Sequence, residues 1–432
     1  MKREFWVWVL VVVIGLGWVG CQSKQGASNH PKPSLVVIEL WTLQLKPFAS
    51  VLVPMMRSFE QAHPGVTVRW VDVPFAQGER RTLAALLSPS VPDVINLNPD
   101  FAALLAYRGA LHNMNHWVSA SQKATYLPAA WQAASMWLPQ QPNAITFGIP
   151  WYLTSSITLA NGAVLKNNPI PQSVGQVAQL AHHFRSESLE TSKQSAYLAM
   201  PNLTQSGNGL KALFQAGLID ETDPSALQIQ LANPKVAAWI GTWVELYQQG
   251  LIPAEAVTEG PQAAVDRYQS GSLAIMATGA NFLTTVKDNA PQVYANTRLA
   301  PQFLAKPNRR GFSEMLLVVP RQSRHPQLAV ALALHLTNAT NQLALAQAAP
   351  VLPSIQSALG HPMFQTTATP LEAARQLSVA QLRSVTQVLP VQPRQKDLNA
   401  LSDRAFQSAL LGTMSVADAI KQWQNGLQTL QP

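Results

Sequence analysis

The apolar positions change period along the chain, and each period predicts an element. Phe5 to Val19 is almost wholly apolar behind Lys2 and Arg3. That run has the length of a signal-peptide core and falls short of the roughly 20 residues a membrane span needs. Residues 22–34 (QSKQGASNHPKPS) are polar and rich in Pro, Gly and Ser, the composition of a flexible tether. Leu35 to Leu40 is then β-branched and apolar, as in a buried strand. Leu52, Met55, Met56 and Phe59 follow at i, i+3, i+4 and i+7. This predicts a helix that tolerates Pro54 in its first turn and stops at His63-Pro64-Gly65. Val66, Val68 and Trp70 alternate with Thr67 and Arg69, a second strand. A helix around Leu83, Leu86 and Leu87 leads through Pro92-Asp93 to a third strand, Val94 to Leu97.

Strand, helix, strand, helix, strand at this spacing predicts βαβ units and a parallel sheet. Ligands of such sheets sit beyond the carboxyl ends of the strands, here Trp41 to Gln44 and Asn98 to Asp100. Further on, Phe147 to Tyr152 breaks the helical pattern and reads as a crossover. Val236, Trp239, Ile240, Trp243 and Tyr247 make one helical stripe closed by Gly250, a core-facing pattern. Ser272 to Met276 and Met315 to Pro320 read as short strands, and the chain from His325 onward reads as helical.

Composition narrows the class. Apolar residues make up 47% and charged residues 12%, enough for a large core and too few charges for a disordered chain. The roughly 410 residues after Cys21 exceed the usual size of one domain, so two lobes are expected. The net charge of +8 reflects a shortage of acids more than a basic patch, which argues against nucleic acid as a partner. The two densest basic groups are Glu79-Arg80-Arg81 and 306–311 (KPNRRG), the latter reading as a hairpin tip.

Cys21 is the only cysteine, so no disulfide supports the fold. It follows the apolar run and Gly20, and this arrangement resembles a bacterial lipobox, in which the thiol is lipidated after cleavage. The alternative is an uncleaved anchor helix with an incidental cysteine. Both readings place the chain outside the cytoplasm and tether it to a membrane.

Several segments, in order, resemble the extracellular solute-binding proteins of ABC importers, in the group that includes maltose-binding proteins. They are 59–66 (FEQAHPGV), 92–95 (PDVI), 107–111 (YRGAL), 148–151 (GIPW), 268–279 (YQSGSLAIMATG) and 324–329 (RHPQLA). The resemblance implies an α/β, two-lobed periplasmic-binding-protein fold of the class II type, with a ligand cleft between lobes joined by a multi-strand hinge. It implies a signal peptide at 1–20, a tether at 21–34, an N-terminal lobe from 35–149 and 277–338, and a C-terminal lobe from 150–276 and 339–432. Its implied partners are a sugar or polyol, ABC permease subunits and the bilayer, with the protein a monomer and no cofactor. Ala160-Asn161 stands where the family commonly has Tyr-Asn.

The ligand candidates are aromatic and polar groups at strand ends and crossovers: Trp41, Gln44, Asn98, Asp100, Trp151, Tyr152, Asn281, Phe312 and Glu314. Aromatic rings cover the apolar faces of a sugar, and carboxylates and amides pair with its hydroxyls. Trp151 and Asp100 are expected to face the same ligand from opposite sides of an open cleft, although core or capping duty explains such residues equally well. No G-x-S-x-G, H-E-x-x-H or phosphate loop supports an enzyme. His112 and His116 at i, i+4 and His182-His183 lack the acidic or cysteine partners of a metal site. An anion such as glycerol phosphate remains as a second reading, with Arg309 and Arg310 as its cations.

Overall fold

Parallel pairing of the first three strands accounts for the early pattern. β1 (Val36–Leu43) lies between β2 (Val66–Val73) and β3 (Val94–Leu97) and runs parallel to both. The computed structural model describes residues 35–138, 141–191 and 196–431. The proposed leader, tether and Cys21 lie outside the described residues. α1 (Ala49–Ala62) connects β1 to β2 and buries the predicted stripe of Leu52, Met55, Met56 and Phe59. α2 (Gly78–Leu86) is rotated relative to expectation. It buries Gly78, Thr82 and Ala85, and leaves Leu83 and Leu87 exposed. The small face lets the helix lie close to β1, since a Cβ on Gly78 would stand 2.7 Å from a Leu43 methyl. α3 (Pro99–Tyr107) follows β3 and starts on an Asn98 cap.

The later strands divide the sheet. β4 (Ser135–Met136) and β5 (Ile145–Thr146) form a small separate ribbon. β6 (Ile149–Asn161) is shared by the two halves of the large sheet. β7 (Tyr197–Ala199) is parallel to β8 (Leu273–Gly279), which pairs antiparallel with β6, as does β9 (Thr297–Pro301). β10 (Phe312–Val318) lies antiparallel between β3 and β6, and β11 (Leu352–Pro353) joins the other edge of β6. The order is β2-β1-β3-β10-β6-β8-β7. Residues 152–155 of β6 pair with β10, and 156–160 pair with β8. The segment 306–311 is therefore no hairpin tip, because β9 and β10 both pair with β6 and not with each other.

Two lobes follow from where the cores sit. In the first, alternate residues of the sheet face two clusters. Ile38, Leu40, Val94 and Leu317 meet α1 and the helix Pro326–Leu336, while Ile95, Leu97, Leu316 and Val318 meet α3. The second lobe gathers Ile157, Leu159, Trp243, Tyr268, Ile275 and Phe406 into one cluster. The segment 339–358, expected in the second lobe, contributes Leu345, Ala349, Ile355 and Ala358 to the first. β8, β9 and residues 283–303, partly expected in the first lobe, pack in the second. The return crossing is made by β10.

Trp151 is fully buried in the first cluster, beside Tyr126, Trp131 and Ile149, which corrects its expected place in an open cleft. The physical reason is the alternation of β6, which puts Trp151 on the same core-facing side as Ile149 two residues earlier. It is also the extra residue of a β-bulge, between Pro150 opposite Leu316 and Tyr152 opposite Met315. Trp151→Ala should accordingly lower stability by about 3–5 kcal/mol, as expected for emptying a large core site. Urea melts check this, and a loss below about 1 kcal/mol would place the indole outside the core.

Candidate functional site

A cavity of about 540 Å³ lies at the carboxyl ends of β7 and β8 in the second lobe. This is the position at which parallel strands present their following loops to a ligand. The hinge strand contributes Thr154, Ser155 and Ser156, a run of three polar residues in the middle of β6. The chain after β7 contributes Asn202 and Asn208, and Trp239, Trp243, Phe282 and Phe303 supply aromatic wall. Helices begin at the cavity with Asn208, near Pro261 and with Phe282, none bearing a side-chain cap. Their amino ends favour oxygen-rich groups. Two charged side chains line the cavity, Lys211 and Glu259, of opposite sign.

Backbone geometry sets these groups. Gly279 ends β8, where a Cβ would lie 2.2 Å from Asn281 Oδ1, so only glycine lets Asn281 stand there unshifted. Asn202 is partly buried, and its Oδ1 has no partner among the described residues. Gln302 Nε2 donates to Gln215 Oε1 at 2.8 Å, and Gln302 Oε1 accepts from Gly311 N at 2.6 Å, bracing one wall.

The expected site residues divide into three groups. Asn281 and Phe312 line the cavity. Trp41, Gln44, Asn98 and Asp100 lie at the carboxyl ends of β1 and β3 in the first lobe. There Trp41 donates Nε1–H to Glu39 at 2.5 Å and carries Arg81 over its ring at 5.5 Å. Gln44 is exposed with φ +55, a strained conformation for a side-chain-bearing residue. The turn around it is held by Asp72, whose carboxylate accepts from Thr42 Oγ1, Leu45 N and Lys46 N. Asn98 caps α3 by accepting from Phe101 N, and Asp100 accepts from Asn399 Nδ2 at 3.3 Å. The third group, Trp151, Tyr152 and Glu314, does not line the cavity. Tyr152 hydrogen-bonds Asn96 at 3.4 Å, and burial pushes its phenol well above the usual range.

Glu314 is paired with Leu153 in the β6–β10 register, 5% exposed, and neither carboxyl oxygen has a partner. Burial holds its carboxyl well above the ordinary carboxylate range. Arg309 is likewise withdrawn from the cavity. Its guanidinium pairs with Asp220, donates to Ile219 O at 2.9 Å and to Gln387 Oε1 at 2.6 Å, and lies over Phe214. His112 and His116 do not form a helical pair, because residues 114–116 make a single 3-10 turn. Among the described residues no cluster of three metal-binding side chains occurs.

Several lining groups escaped the sequence reading. Lys211, Gln215 and Asn202 follow a three-residue strand too short to show a period. The Thr154-Ser155-Ser156 triplet was a usable signal, since polar residues interrupting a buried strand need partners.

Two α/β lobes sharing a hinge strand, with a cavity at strand ends, define a solute-capturing class of protein. A search of curated protein sequences gives no match. A profile of the family described as bacterial extracellular solute-binding protein matches residues 54–372, and the chain belongs to that family. A crystal structure provisionally assigned as an oligosaccharide periplasmic-binding protein from Synechococcus sp. MITs9220 is 34% identical. It covers 91% of this chain and 100% of its own, with a TM-score of 0.78. Fold similarity extends to the GacH receptor of Streptomyces glaucescens, at 18% identity and a TM-score of 0.70 over 91% of this chain and 98% of that one. Maltose-bound MalE3 of T. maritima is also 18% identical, with a TM-score of 0.68 over 91% and 100%. These relatives bind solutes and are not enzymes.

Glu314 generates a stability prediction. Burial raises the folded carboxyl well above the ordinary value of 4.5 near which the unfolded one ionises. The penalty is therefore absent below that pH and grows as pH rises toward the elevated folded value, where it levels off. Glu314→Met should raise stability at pH 7.5 by about 1–3 kcal/mol, the cost of an unpartnered buried polar group, and by less at pH 4. Urea midpoints at the two pH values check it, and an equal gain at both would refute the assignment.

Proposed function

We propose that the chain is the substrate-binding component of an ABC import system, capturing a neutral sugar or sugar-like polyol by lobe closure and delivering it to a permease. The cavity carries the reading. Its one cation, Lys211, is offset by Glu259, and the rest of its polar wall is hydroxyl, amide and backbone beside aromatic rings. That combination suits a solute with many hydroxyls and apolar C–H faces. The anionic reading loses support, because Arg309 is committed to Asp220 and to backbone carbonyls. The Synechococcus relative, assigned to oligosaccharides, supports the same solute class.

A thermal-shift screen of hexoses, malto-oligosaccharides, polyols and glycerol phosphate tests it, since a solute binding only the folded state raises the melting temperature by mass action. A neutral sugar should shift the transition and glycerol phosphate should not. The reverse result would overturn the reading. Within the site, Asn202→Ala should weaken sugar binding by about 0.5–1.5 kcal/mol, one neutral hydrogen bond, without moving the urea midpoint. Calorimetric titration showing unchanged affinity would remove Asn202 from the contact set.

We further infer that the chain is anchored outside the cytoplasm by lipid on Cys21, from the lipobox-like Gly20-Cys21 after an apolar run. A single acyl chain anchors marginally and two hold firmly. Cys21→Ser should therefore move the protein from the membrane to the soluble fraction. Mass spectrometry finding an unmodified Cys21 would overturn the anchor.

A further inference from the structure

We propose that the helix Gln395–Leu410 and the connection before it form a protein-borne latch that holds the two lobes together. The helix belongs to the second lobe, where Leu398, Ala405 and Phe406 enter the core. Its first two turns also reach the first lobe. Lys396 Nζ forms an ion pair with Glu79 at the start of α2 and lies 5.5 Å over the Phe101 ring of α3. One turn on, Asn399 Nδ2 donates to Asp100 at 3.3 Å, while Asn399 Oδ1 accepts from Gln395 Nε2 at 2.9 Å. The amide is thereby fixed in the orientation that presents its N–H to the other lobe.

The preceding connection crosses between the same two bodies. Leu389 packs on the second-lobe core and Val391 on the first-lobe cluster of Ile95, Leu97 and Phe101. Pro390 O accepts from Thr222 Oγ1 at 2.6 Å, and Gln392 Nε2 donates back to Thr222 at 3.2 Å, which ties the connection to the second lobe. Pro390 and Pro393 stiffen it. Glu79 and Asp100 follow the carboxyl ends of β2 and β3, so the contacts form at the ligand-facing end of the first lobe.

The latch is also one turn from the cavity. Asn399 fills the space beside Gly207, where a Cβ would lie 2.1 Å from its Oδ1, and Asp403 accepts from Gly207 N at 3.0 Å. The next residues, Asn208 and Lys211, line the cavity. Lobe position and solute are thus coupled through a single loop. The closed arrangement draws on contacts that the chain itself supplies, and solute affinity includes whatever the latch contributes.

The inference uses the lobe-closure part of the proposed function, but its test needs no solute, so the two readings fail separately. Spin labels on cysteines introduced at exposed Arg57 and Glu245 report the distance between lobes in the full chain held in detergent. Lys396→Met and Glu79→Gln should each shift the distribution toward longer distances, and the exchange Glu79→Lys with Lys396→Glu should restore it. Both partners are about half exposed, so raising NaCl should move the wild type in the same direction as the single variants. A sugar that binds the closed form should lose about 1.5- to 5-fold in affinity in the single variants, the worth of an exposed ion pair. Urea midpoints within error of wild type establish that the variants fold. Unchanged distances in both single variants would overturn the latch, as would failure of the exchange to restore the distribution.

Discussion

One strand has to satisfy two lobes at once, and the rest of the architecture follows from how it does so. β6 pairs with β10 and β11 through its first half and with β8 and β9 through its second. The bulge at Trp151 falls in the first half, where it breaks the β6–β10 ladder. Just beyond β11, Ser354 reaches the same stretch of β6, donating to Pro150 O at 2.8 Å with Trp151 O at 3.2 Å, and Gln342 holds Ser354 from both its side-chain atoms. Ser354 is fully buried and Gln342 nearly so, in surroundings where an unpaired polar group costs about 1–3 kcal/mol. Removing either partner strands the other, so the segment 339–358 is bound to the first lobe by hydrogen bonding as well as by packing.

That network explains which parts of the fold were legible in the sequence. α1 and β2 carried periods of 3.6 and 2, and β1 and β3 carried short apolar runs, the pattern of strands covered on both faces by the two first-lobe clusters. α2 departed from its pattern, since its close approach to β1 selects Gly78 and Ala85 over its leucines. The lobe boundaries were misplaced for a different reason. β7 and β11 span three and two residues, too short for any period. The bonds that tie 339–358 to the first lobe join Ser354 to Pro150 and Trp151, some 200 positions earlier, and no local window contains them.

Of the nine candidate residues, Asn281 after β8 and Phe312 at the start of β10 line the cavity, whereas those at the carboxyl ends of β1 and β3 stand in the other lobe. Trp151 and Glu314 were misjudged because residues near a hinge were expected to face a cleft, whereas the alternation of β6 and the antiparallel pairing of β10 turn them inward. Glu314 and Asp100 differ in kind. One carboxyl is buried without a partner among the described residues and is held well above the ordinary range, while the other stands at a helix start with an amide donor. Only the second arrangement offers an accepting carboxylate.

Charge is distributed to match. The cavity wall is nearly neutral, and the cross-lobe contacts a turn away use a full ion pair and a carboxylate. An unbalanced charge in the cavity would favour anions or cations over neutral solutes and would bring salt dependence into binding itself. Lys211 and Glu259 offset each other there, and the remaining amides and hydroxyls form hydrogen bonds that are short-ranged and geometric. With the cross-lobe ion pair half exposed outside the cavity, the proposed latch would carry the ionic-strength dependence and the cavity would select by shape and hydrogen bonding. Arg309 fits the same division. Its guanidinium is spent on Asp220 and on the carbonyls of Phe214 and Ile219, so this cation braces the cavity from behind without facing the solute.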